Sequence, residues 1–247
     1  MNLFGLFNNK KEEDESLTPI LVDMHSHLLP GIDDGSESID DSISLIKEYI
    51  SMGYKKLITT PHVMGDFYKN TPEIIAEKLD LLSAAVVKES LDIKIEAAAE
   101  YYLDEWFLEK LHNGEKLLTF GENYVLFETS YLNGHPLLNE TIFLLKAKGY
   151  WPVLAHPERY TYLYNDFSKY REIFEKGISF QLNINSLAGY YSKTAQAIAI
   201  KLVENEMVSF AGTDCHSMRH LEVLKKTRLT KEYKKLQRLY LLNNSLL

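Results

Sequence analysis

The run Asp23-Met24-His25-Ser26-His27 ends an apolar stretch with two imidazoles two residues apart. Side chains alternate along a strand with period two, so His25 and His27 project from one face and can reach one ion together. In a chain with 8 His such a pair also falls on ordinary wet surface, so its meaning depends on where other donors lie. His62 follows in Thr59-Thr60-Pro61-His62, and Glu100 and Glu128 close two further apolar runs. His156 and Arg159 lie in Ala155-His156-Pro157-Glu158-Arg159-Tyr160, Asn183 and Asn185 follow the next run, and Asp214 and His216 lie in Gly212-Thr213-Asp214-Cys215-His216. Imidazole plus carboxylate suits Zn²⁺, Mn²⁺ or Fe ions and is too rich in nitrogen for a calcium or simple magnesium site. Eight donors exceed one tetrahedral ion, which points to two or three ions with Glu100 or another carboxylate bridging.

Elements must bring these residues to one place. Seven short apolar runs recur near residues 20–24, 56–60, 93–98, 124–128, 152–155, 179–183 and 208–212, with amphipathic segments between them. Ile39, Ile43, Ile46 and Ile50 have the spacing of a buried helical stripe. Pro72 and Pro136 suit first helical turns, and Gly53, Gly149 and Gly177 suit left-handed C-caps. Repeated strand-helix units predict an α/β fold, a parallel sheet with right-handed crossovers that closes into a barrel, with the site at the C-terminal ends of the strands. An open doubly wound sheet is the alternative, but Pro30-Gly31-Ile32-Asp33-Asp34-Gly35 has neither a dinucleotide fingerprint nor a phosphate loop. Singly, His62 or His156 reads as a hydrogen-bonded histidine, and Glu100 or Glu128 as a salt-bridge partner. Together, at one end of six strands, the carboxylates would repel one another without cations. His112, His135 and His220 lie outside the pattern and are read as structural.

With 247 residues and 45% hydrophobic content, the chain can bury one large core, expected over residues 19–247. Residues 1–18 pass from Leu3, Phe4, Leu6 and Phe7 into Lys10-Lys11-Glu12-Glu13-Asp14-Glu15 and read as a flexible N-terminal extension, a docking role for the apolar patch being the alternative. A net charge of -8 disfavours nucleic acid as partner. The single Cys excludes a disulfide framework and a Cys-rich zinc site and fits a reducing cytoplasm. No run has the length of a membrane span, and Leu3 to Phe7 is too short for a signal-peptide core. The lysines and arginines from Lys225 to Arg238 read as a solvated terminal helix.

The ordered motifs resemble the polymerase and histidinol phosphatase (PHP) superfamily of metal-dependent phosphoesterases, and within it the bacterial capsule and exopolysaccharide tyrosine phosphatases. The resemblance rests on Asp23-Met24-His25-Ser26-His27, Ile32-Asp33-Asp34-Gly35, Thr60-Pro61-His62, Ala99-Glu100-Tyr101-Tyr102, Phe127-Glu128, Ala155-His156-Pro157-Glu158-Arg159-Tyr160 and Asp214-Cys215-His216, across residues 20–220. It implies a distorted (β/α)7 TIM-like barrel of the PHP type holding three divalent ions, manganese foremost. It also implies hydrolysis of phosphotyrosine by a metal-activated hydroxide, on the Tyr-rich tail of a polysaccharide-synthesis tyrosine kinase. By position, His25, His27, His62, Glu100, Glu128, His156, Asp214 and His216 look like metal ligands and Arg159 like the phosphate-binding arginine. Arg219 matches a second phosphate-contacting arginine less closely, since that of the family sits further beyond the last His. His62 or His216 are candidate acids, although a ligating His cannot easily double as one. Cys215 is no thiolate nucleophile of the Cys-dependent kind, because the position where that signature needs arginine is Leu221. A small-molecule phosphoesterase such as a histidinol phosphatase, and a non-catalytic metal-binding regulatory module, are the competing readings.

Overall fold

The computed structural model describes residues 17–247, so the reading of residues 1–16 as a flexible or docking segment lies outside the described residues. Thr18, assigned to the leading extension from sequence, already donates its amide to the Gln237 carbonyl at 3.0 Å.

The apolar runs form nine strands: β1 (Val22–Asp23), β2 (Lys56–Thr59), β3 (His62–Val63), β4 (Lys94–Ala97), β5 (Glu100–Tyr102), β6 (Tyr124–Glu128), β7 (Trp151–Ala155), β8 (Ser179–Asn183) and β9 (Phe210–Gly212). Nine arise from seven runs because the second and third each break in two. Pro61 lies in the first break and has no amide hydrogen to donate, yet its carbonyl still accepts from Glu100 N at 3.0 Å, so the chain keeps its place in the layer.

Every strand pair is parallel, in the orders β1-β2-β4 and β3-β5-β6-β7-β8-β9. A parallel bridge between Ser26 and Cys215 joins the exit of the first strand to that of the last, with His27 N donating to Cys215 O at 2.9 Å. At the opposite end Asn243 fills the seam: its Nδ2 donates to Val22 O and Ala211 O, and its Oδ1 accepts from Ala211 N. The result is a distorted barrel of seven strand positions, closed by strand contact at the C-terminal end and by a side chain at the N-terminal end.

Eight helices cover it: α1 (Ile39–Ser51), α2 (Pro72–Lys88), α3 (Glu105–Asn113), α4 (Leu138–Ala147), α5 (Phe167–Phe174), α6 (Lys193–Glu204), α7 (Met218–Thr227) and α8 (Lys231–Leu236) among the described residues. The isoleucine stripe of α1 turns inward, with Ile43 and Ile46 buried and Ile39 and Ile50 packed at its margin. Pro72 opens α2, whereas Pro136 stands two residues before α4, in a turn where Leu138 N donates to His135 O. Gly53, Gly149 and Gly177 take the expected positive φ, 90°, 81° and 77°. The basic C-terminal stretch is split between α7 and α8, and Tyr233 and Leu236 of α8 are buried rather than solvated.

Period-two alternation divides the apolar side chains between two cores. Ile58, Leu126, Val153, Ala155 and Phe210 fill the barrel with Val22 and Met24, while Leu57, Phe127, Leu154, Phe180 and Leu182 face the helices. Each large side chain contributes about 1.5–3 kcal/mol by leaving water. No helix among the described residues is long and apolar enough to cross a membrane.

Candidate metal centre

Two glycines make the space in which the first imidazoles sit. A Cβ on Gly212 would lie 2.7 Å from both the His25 Cβ and Gln181 Nε2, and one on Gly35 would lie 2.4 Å from the His27 Cβ. Any other residue would push the histidines off the strand end. His25 Nδ1 donates to Gln181 Oε1 at 2.8 Å; that oxygen acts as an acceptor because it also receives His156 N at 3.2 Å. His27 Nδ1 is 2.8 Å from Asp33 Oδ2. With each Nδ1 engaged, both Nε2 atoms are left to face the barrel mouth, 3.3 Å apart.

Carboxylates meet them there. Glu100 Oε2 lies 3.1 Å from His25 Nε2, 3.5 Å from His27 Nε2 and 3.2 Å from His62 Nδ1, and its Oε1 lies 3.1 Å from His156 Nε2. Asp214 Oδ1 is 3.4 Å from both His25 and His27 Nε2 and 3.5 Å from His216 Nδ1. Asp34 Oδ1 stands 3.4 Å from His62 Nε2 and 3.3 Å from His216 Nε2. Glu128 reaches His62 at 3.5 Å and His156 at 3.7 Å. Three overlapping sets emerge: His27, Asp34, His62 and His216; His25, His27, Glu100 and Asp214; and His62, Glu100 and Glu128.

The electrostatics of the cluster fit a donor set made for cations. Burial opposes charge on His25, yet the Glu100 and Asp214 carboxylates push it up to about 9. Glu100 and Asp214, although buried, are held well below the usual carboxylate range by the surrounding imidazoles, His25 foremost. Burial and the neighbouring Glu100 push Glu128 up to about 8, and burial with the nearby Arg159 charge brings His156 down to about 4. His62 Nδ1, Glu100 Oε1 and Glu128 Oε2 are buried without hydrogen-bond partners. Buried polar atoms ordinarily find a partner, and here the unsatisfied ones face other imidazole and carboxylate atoms of the same cluster. Nitrogen and carboxylate donors so arranged suit divalent ions.

All eight residues expected as ligands thus converge. His156 and Asp214 follow β7 and β9 in left-handed conformations, φ 33° and 51°, which cost about 1–3 kcal/mol each and turn their side chains into the mouth. Arg159, in the 3-10 turn Pro157–Arg159, donates from Nη1 to Asp214 Oδ2 at 2.8 Å. Arg219 is exposed in the first turn of α7 and takes no part in these contacts. Asn183 donates to Asp214 Oδ2 at 2.7 Å, while Asn185 turns away to His220 O. The thiol of Cys215 is buried and pushed up to about 12 by that burial.

Sequence reasoning assigned no role to Asp34, Asp33 or Gln181. The two aspartates lie in the Ile32-Asp33-Asp34-Gly35 motif, where acidic residues followed by glycine shortly after His-x-His were the available signal. His220, read as structural, stands beside the site: its Nδ1 accepts from His216 N at 2.9 Å and so orients that backbone. His112, exposed, pairs with Glu140, and His135, half-buried, accepts from Leu137 N, so neither contacts the cluster.

The family described as capsular polysaccharide synthesis, CpsB/CapC, matches residues 21–241. The chain is 30% identical to tyrosine-protein phosphatase YwqE of Bacillus subtilis (strain 168) over 199 residues, 81% of this chain and 78% of that one. A solved structure from work on YwqE of Bacillus subtilis and CpsB of Streptococcus pneumoniae, called unique metal-dependent tyrosine phosphatases, matches with a TM-score of 0.74 at 27% identity, covering 89% of this chain and 95% of the other. The lactonase Lmo2620 of Listeria monocytogenes, 12% identical with a TM-score of 0.56 over 91% and 93% of the two chains, shares the fold alone. By motif, architecture and sequence, this chain belongs to the CpsB/CapC family of capsular polysaccharide synthesis.

Proposed function

We propose that the protein is a metal-dependent protein tyrosine phosphatase, acting in the cytoplasm on phosphotyrosine of a polysaccharide-synthesis tyrosine kinase. The observation that carries this reading is the convergence of imidazoles and carboxylates beside the Arg159 guanidinium at one mouth. His25, His27, His62, Glu100, Glu128, His156, Asp214 and His216 would hold two or three divalent ions, manganese foremost with iron or zinc as alternatives, and Asp34 joins them. When bound, such ions supply Lewis acidity toward phosphoryl oxygens and a water acidic enough to attack phosphorus near neutral pH.

The remaining work falls to the chain. Gln181 and Asp33 keep His25 and His27 turned to the cluster. Arg159 spends one N–H on Asp214 and keeps the others for phosphate oxygens and the charge that grows on them. Arg219, exposed in the first turn of α7 three residues beyond His216, is the candidate second phosphate contact. A tyrosine leaving group, with a pKa near ~10, asks little of an acid, so His62 serves as ligand in preference to proton donor. Phosphotyrosine carries about -1.5 to -2 charge, and a cation-loaded mouth attracts it despite the net charge of -8.

The test is phosphate release from a tyrosine-phosphorylated kinase-tail peptide, with metal-free protein alone and with Mn²⁺, Zn²⁺ or Fe²⁺, and with histidinol phosphate in parallel. Metal-restored release from the peptide alone supports the proposal. Release from histidinol phosphate alone would move the protein to small-molecule metabolism, and peptide binding without release under every ion would make it a regulatory module.

A further inference from the structure

Arg159 is held by more than its ion pair. Its guanidinium carbon lies 4.5 Å from the ring centroid of Tyr131 and 4.1 Å from that of Tyr191, so it packs over two aromatic faces. The rings come from different parts of the chain, Tyr131 from the segment after β6 and Tyr191 from the loop between the 3-10 turn Ile184–Ala188 and α6. Each is tied to the cluster in turn. Tyr131 lies 5.6 Å from the His156 ring. The Tyr191 hydroxyl accepts from Asn183 Nδ2, which also donates to Asp214 Oδ2, the oxygen that receives Arg159 Nη1. A free arginine side chain samples many rotamers, whereas one packed over two rings and pinned by an ion pair samples few.

We propose that Tyr131 and Tyr191 are positioning residues for phosphate capture, holding the Arg159 guanidinium against their faces so that its unpaired N–H groups stand ready beside the metal cluster. This rests on the phosphatase reading above. Ring faces do the holding, so phenylalanine should substitute at position 131 and leucine should not. At 191 the same holds, less the hydroxyl that Asn183 uses.

A double-mutant cycle on the Mn²⁺-loaded protein tests it. KM and kcat are measured with an aryl phosphate, and the dissociation constant for inorganic phosphate by calorimetry, for Tyr131→Leu, Tyr131→Phe, Arg159→Ala and the Tyr131→Leu/Arg159→Ala pair. Tyr131→Leu should weaken phosphate binding and raise KM by roughly tenfold with bound metal unchanged. Tyr131→Phe should stay near wild type. With Arg159 already alanine, losing the ring should cost nothing further, since a residue that acts only through Arg159 has nothing left to position. Additive losses would mean that the ring touches the substrate or supports the fold directly, and equal behaviour of the Leu and Phe variants would remove the role of the ring face; either overturns the proposal. Should Tyr131→Leu fail to fold, the Tyr191→Leu and Tyr191→Phe pair is read in the same cycle. If the wild type releases no phosphate, the proposed function fails on its own, and calorimetry with inorganic phosphate still decides the clamp.

Discussion

A donor removed from the mouth leaves its neighbours short of a ligand and with an altered charge balance. His156→Ala and Asp214→Ala should each abolish phosphate release while far-UV circular dichroism stays native; full turnover in either folded variant would sink the ligand assignment. Arg159→Ala should lower turnover roughly 100-fold with the ions retained, because charge stabilisation on phosphate is lost while Asp214 Oδ2, deprived of Arg159, still accepts from Asn183. Metal loss in that variant would show that Arg159 serves Asp214 instead. Cys215 offers a control. Burial lifts its thiol to about 12, so at pH 8 it stays protonated, and iodoacetamide should leave activity intact while a chelator removes it. At this scale the sequence was most legible for residues that end strands, because strand order alone carries them to one face. Asp34 and Gln181 were not legible as partners. Asp34 depends on a loop that folds back until Gly35 touches His27, and Gln181 on a neighbour 156 positions away.

Strands and loops set the reach of those side chains. Gly212 sits where β9 passes His25 and Gln181, so Gly212→Ala should shift the imidazole, lower bound metal and destabilise the protein by about 1–3 kcal/mol, read by metal analysis and denaturant unfolding. Normal metal content in that variant would show that the barrel seam relaxes freely. Asn243 works at the other end of the same seam, satisfying two carbonyls and one amide of β1 and β9. Asn243→Ala should therefore cost about 2–4 kcal/mol of stability, yet keep turnover at low temperature because the mouth lies at the opposite end. The seven apolar runs were readable from hydrophobicity and turn residues. Their division into nine strands was not, since ladder breaks at Pro61 and at Ala98-Ala99 reflect how the barrel bends to bring His62 and Glu100 level.

The whole molecule couples its fold to its ions. A cluster of buried carboxylates and imidazoles is a cost when bare and a binding site when filled, so ions should raise the melting temperature. An ion present at about 100 times its dissociation constant adds about 2.7 kcal/mol per site, and chelation should reverse the rise. A melting temperature indifferent to Mn²⁺ would count against a resident metal. The sequence by itself determined the donor types, their order along the chain and the alternation of strand and helix, because these follow from side-chain chemistry and period. Tertiary structure alone decided the distances: which carboxylate faces which imidazole, how Tyr131 and Tyr191 pack against Arg159, and how Asn243 closes the barrel. Most of those pairings join residues tens to hundreds of positions apart, and no local rule of spacing reports contacts made only when the sheet curls and its first and last strands meet.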